Sequence, residues 1–90
     1  PLSPEARVFT ESLTNPYISH HAMFETTEWF GEGGPGLRSF AYVALRTEQP
    51  FGLLALASED AQRFYPEMGT LYLKRLGELV SVALARFLRP

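Results

Sequence analysis

Apolar positions change their period along the chain, and the longest run, "RFYPEMGTLYLKRLGELVSVALARFL" from Arg63 to Leu88, carries more of them than one side of a helix holds. At 3.6 residues per turn, Met68, Tyr72, Leu76, Leu79, Ala83 and Phe87 form one stripe, with Val80 at its edge. Leu73, Gly77, Leu84 and Leu88 form a second beside it. Together they exceed the roughly 100° arc that a surface helix buries. The first stripe is expected to pack on a sheet, which leaves the second wanting another partner. Thr70, Lys74, Glu78 and Ser81 make a narrow polar strip expected to face water, with Arg75 and Glu78 spaced for a weak pair. Gly77 costs about 1 kcal/mol relative to alanine inside a helix, so it implies close approach of another backbone, from a helix or a sheet.

Upstream, the period shortens. "RSFAYVALR" and "PFGLLALAS" are strand-like runs joined through "TEQP", which suits an antiparallel hairpin. Phe40, Ala41, Val43 and Leu45 in one run, and Leu53, Leu54 and Leu56 in the other, occupy both faces, so the hairpin is expected inside a sheet, covered on two sides. Near the start, Ser3 can cap, Pro4 suits a first helical position and Asn15-Pro16 ends the element, giving a helix from about Pro4 to Leu13. Tyr17 to Ser19 reads as extended, and a helical segment is expected around Ala22 to Phe30, stopped from Gly31 onward. Ser58, Glu59 and Asp60 suit a short helical turn, and Pro66 suits the start of the final helix, with Arg86 and Arg89 near its end.

Composition narrows the field. Ninety residues, 46% hydrophobic and 13% aromatic, suffice for one small core and one domain. A net charge of -2 offers no basic field for phosphates or anionic lipid, so neither nucleic acid nor membrane is an expected partner. The most apolar run, Leu79 to Ala85, falls far short of the ~20 residues of a membrane span. Without cysteine there is no disulfide, thiolate metal site or cysteine nucleophile, and a cytoplasmic location is expected. The chain opens on Pro1, so an upstream portion is expected to be missing.

The candidate chemistry is sparse. Gly31, Gly33 and Gly36 match a dinucleotide fingerprint in spacing, but a helix leads in and a strand leads out, the reverse of what a phosphate needs, so "GEGGPG" reads as a connector. His20 and His21 diverge as neighbours, and His21 with Glu25 lacks a third ligand, so no metal site is expected. Asp60 is the sole aspartate and suits a helix start, which leaves no nucleophilic triad and no catalytic residue. Arg63 sits between two apolar elements, where its guanidinium can hold an anionic group or bond local carbonyls. With Tyr17, Trp29 and Tyr42 it is the candidate lining of a small-molecule pocket, against the plainer reading of these aromatics as core.

"FGLLALASEDAQRFYPEMGTLYLKRLGELVSVAL" resembles a bacterial, GAF-related family, domain of unknown function 484. In that family a GLLALGS-type strand leads into an acidic turn, an RF-x-P-x-MGT-x-FL segment and a terminal helix. The matching positions are Gly52 through Ser58, Asp60, Arg63, Phe64, Pro66, Met68, Gly69, Thr70 and Leu73, with mild departures at Ala57 and Tyr72. "NPYIS" and "SFAYVAL" resemble the family's preceding segments. The resemblance implies an α+β, GAF-like antiparallel sheet with flanking helices, often paired through terminal helices and often holding a small molecule. The visible chain would then be the carboxyl-terminal part of the domain, completed by upstream residues or by another chain. The family supplies no catalytic residues and no known cofactor; its genes often neighbour those of a site-specific recombinase, a hint of partnership. The expectation is a noncatalytic regulatory or sensory module, dimerising through Leu73, Gly77, Leu84 and Leu88 and holding a small ligand. The alternatives are a purely structural interaction module, and upstream residues that cover the second stripe within the same molecule.

Overall fold

The computed structural model describes residues 2–31, 36–65 and 70–88, apart from the side chains of Thr27 and Leu88. Its elements are α1 (Pro4–Ser12), β1 (Tyr17–Ser19), α2 (Thr26–Trp29), β2 (Ser39–Arg46), β3 (Pro50–Ser58) and α3 (Leu71–Leu88). The strands form an antiparallel sheet in the order β1-β2-β3. Tyr17 lies opposite Tyr42, and on the other side of β2, Ala41 and Val43 lie opposite Leu56 and Leu54. The fold is α+β. The expected starting point of the final helix at Pro66, and the place of Met68 in its stripe, lie outside the described residues, as does most of the glycine connector.

Successive residues of a strand point to opposite faces, and β2 uses both. Phe40 and Tyr42 enter a cluster with Leu13, against which Phe9, Met23, Phe30 and Leu53 pack, so α1 and the α2 region cover this face. Ala41 and Val43 enter a second cluster with Leu73, joined by Ile18, Leu54, Leu56 and Phe64, so α3 covers the other. The hairpin is present as expected, but only β2 is interior. β3 pairs with β2 alone and forms an edge of the described sheet, half-buried along most of its length.

The segment between β1 and β2 departs from the expected helix over Ala22 to Phe30. Phe24 takes a left-handed conformation, φ 54°, which breaks a right-handed helix and leaves only Thr26–Trp29 helical. Tertiary bonds replace the missing helical ones. Met23 N donates to Tyr42 Oη at 2.8 Å, and Thr26 Oγ1 lies 2.9 Å from the same oxygen. The Tyr42 ring is fully buried, and edge-to-face packing on Phe9 fixes its position. Gly31, at φ 63°, follows the short helix and supplies the left-handed residue that ends it.

The capping of α1 by Ser3 holds, with a distant support. Ser3 Oγ accepts from Ala6 N at 3.2 Å and donates to Glu25 Oε1 at 2.9 Å, while Ser3 N donates to Glu25 Oε2 at 2.8 Å. One carboxylate thus ties the start of α1 to the turn before α2. The bond from Ser3 N, more than any other contact, holds the Glu25 carboxyl below its ordinary value of 4.5.

The final helix meets the sheet by the stripe expected to be free. Leu73 is 1% exposed and Gly77 and Ser81 are buried, whereas Tyr72, Leu79 and Phe87 face outward. A Cβ added at Gly77 would overlap Val43 Cγ1, so only glycine lets the helix backbone come this close to β2. Ser81, expected to face water, is a buried link: its Oγ donates to Gly77 O at 2.7 Å and accepts from Arg46 N at 2.9 Å. Arg46 pairs with Pro50 at a register irregularity of the hairpin, and there the helix supplies the acceptor for Arg46 N.

Replacing Gly77 with alanine gains about 1 kcal/mol of helix propensity but overpacks Val43 at about 1–3 kcal/mol. Chemical denaturation should therefore show a net loss, partly restored by adding Val43→Ala; equal or greater stability of Gly77→Ala alone would contradict the contact. A depressed folded-state pKa at Glu25 means its contribution is complete above the unfolded carboxyl value and lost as pH falls through the folded one. Melting temperature followed from neutral pH downward should fall less steeply for Glu25→Gln than for the parent chain, and parallel curves would contradict the Ser3 bonds.

Candidate interaction surface

The outward side of α3 carries a group of exposed large apolar residues. Tyr72 is 73% exposed, Leu79 70% and Phe87 85%, and all three belong to the stripe that sequence periodicity assigns to the core. Ala83 lies between them and is also exposed, with Leu76 half-buried at the margin. Leu71 and Val82 extend the apolar surface round the helix, separated from the main stripe by Arg75 and Arg86. A shallow groove along this side is lined by Leu71, Lys74, Arg75, Glu78, Leu79 and Val82.

The four residues expected at a dimer interface therefore divide. Leu73 and Gly77 are corrected to intramolecular packing, because the sheet needs the small residue of that stripe where helix and strand backbones meet. Leu84 is 39% exposed and borders the free surface. The Leu88 side chain lies outside the described residues.

Of the four residues expected around a small ligand, none lines a groove formed by the described residues alone, and only Tyr17 and Tyr42 are neighbours, across the β1–β2 pairing. Tyr42 is buried with its hydroxyl engaged by Met23 and Thr26. Tyr17, its cross-strand neighbour, packs edge-to-face on Phe9 with ring centroids 5.5 Å apart. Trp29 is exposed on α2. Arg63 is exposed in a turn closed by its own N–H on Asp60 O, at 3.1 Å. A groove of about 310 Å³ lies instead between the α1–β1 connection, the end of β2 and α3, bordered by Asn15, Arg46, Thr47, Lys74, Glu78 and Ser81. None of the four contributes to it.

The histidines have local roles. His20 Nε2 lies 3.2 Å from Ala61 O, joining the end of β1 to the turn after β3, and His21 N donates to Ser19 Oγ. Among the described residues no three of His, Asp and Glu are grouped to hold a metal ion, and no helix is long and apolar enough to cross a membrane.

No curated protein matches the chain, and no solved structure does. One family matches almost all of it, residues 5–89, under the description "Protein of unknown function, DUF484". The strand, acidic turn and helix that resemble that family are β3, the turn through Asp60 to Arg63 and α3, all inside the match. This chain belongs to the DUF484 family.

Proposed function

We propose that the chain is a noncatalytic, GAF-like interaction module that acts in the cytoplasm and self-associates through the outward side of α3. The observation that carries this reading is the row of exposed Tyr72, Leu79 and Phe87 on a helix whose other side is already anchored to β2. Large apolar residues grouped on one surface mark interaction sites on soluble domains. The spacing from Tyr72 through Leu79 and Ala83 to Phe87 follows one side of a helix for about 22 Å, the dimension of a helix-to-helix contact.

A second copy is the favoured partner. The stripe contains no charge, so opposing copies place no like charges at its centre, and Lys74, Arg75, Glu78 and Arg86 at its side supply both signs for the rim. The GAF-like reading is supported by helices on both faces of an antiparallel sheet. The engaged, buried hydroxyl of Tyr42 and the exposure of Trp29 and Arg63 favour an interaction role over a small-ligand pocket built from them.

Sedimentation equilibrium of the parent chain should give a concentration-dependent mass above 10.1 kDa. Leu79→Glu combined with Phe87→Glu should return the monomer mass with unchanged far-ultraviolet circular dichroism, because both positions are exposed. Identical masses for parent and double variant would overturn the proposal.

A further inference from the structure

The groove between the α1–β1 connection, the end of β2 and α3 combines charge of both signs with apolar lining. Its volume of about 310 Å³ reaches the lower end of the range for small-molecule sites, roughly 300–1,000 Å³. Leu13, Pro16, Val43 and Ala44 supply the apolar part. Thr14, Asn15 and Thr47 border it with neutral hydrogen-bonding groups.

The charged side chains stand on two walls. Arg46 Nη1 donates to Leu13 O at 3.3 Å, which fixes the guanidinium beside the end of α1 and leaves its other N–H groups for a further acceptor. Lys74 and Glu78 lie one turn apart on α3, exposed, with about 5–6 Å between their Cβ atoms. Among the described residues no carboxylate comes within 4.0 Å of either cation. Two cations and one carboxylate thus border the same groove without neutralising one another.

This set of charges restricts what the groove can hold. A simple anion meets repulsion from Glu78, and a simple cation meets repulsion from Arg46 and Lys74. A molecule that carries a carboxylate and an ammonium on one carbon finds a partner for each. We propose that the groove binds a small apolar α-amino acid. Arg46 and Lys74 hold its carboxylate, Glu78 holds its ammonium, and its side chain lies against the apolar lining. The whole lining comes from one chain, so this site does not depend on the self-association proposed for α3, which sedimentation judges separately.

The probe is leucine, compared with isocaproate, which keeps only the carboxylate, and isoamylamine, which keeps only the ammonium. In amide correlation spectra of the isotopically labelled chain, leucine should move the signals of Asn15, Thr47, Lys74 and Ser81 saturably at millimolar concentration. Both analogues should bind several-fold more weakly. Arg46→Ala should weaken leucine binding about tenfold. Because Arg46 also bonds Leu13 O, the exposed Glu78 provides a second variant: Glu78→Gln should weaken leucine several-fold and leave isocaproate bound at least as well as by the parent chain. Leucine shifts that do not saturate, leucine binding unchanged by Glu78→Gln, or isocaproate bound to the parent chain as tightly as leucine would each overturn the proposal.

Discussion

The rest of the arrangement depends on how closely α3 approaches β2. Gly77 removes the side chain that would collide with Val43, and Ser81, one turn later, links Gly77 O to Arg46 N. Packing density and hydrogen bonding thus select the same stripe of the helix. Once that side is committed, Tyr72, Leu79 and Phe87 face away from the sheet. The free apolar surface is a consequence of choosing small residues for the close contact.

Much of the fold is legible from residue order. The Ser3-Pro4 start of α1, the extended run at Tyr17 to Ser19 and the hairpin through "TEQP" all appear where local chemistry places them. These features depend on neighbours in sequence. The helix expected over Ala22 to Phe30 shrinks because its bonding is settled by a distant residue, the Tyr42 hydroxyl, and by a left-handed Phe24. Nothing in the local pattern carries that information.

The exposed apolar side of α3 is half legible. Periodicity shows that α3 has two apolar stripes, and the glycine signals close approach of another backbone, which is that of β2. Hydrophobicity then favours the bulkier stripe for the core, and this is where it fails: a strand that already offers Val43 leaves room for glycine and serine, not for phenylalanine. Ser81 was the available signal, since a hydroxyl one turn after a helical glycine can serve an unpaired strand N–H as well as water. The aromatic and arginine set is less legible for another reason. Tyr42 has a structural task, and Arg63 belongs to a turn whose place in space the sequence does not reveal.

The side of α3 that touches the sheet is most directly tested by methyl and aromatic nuclear Overhauser contacts in the dilute, isotopically labelled chain. The account requires contacts from the Val43 methyls to Gly77 Hα and to the Leu73 methyls, and none from β2 to Leu79 or Phe87. Contacts from Leu79 and Phe87 to Val43, with Leu73 and Gly77 silent, would contradict it.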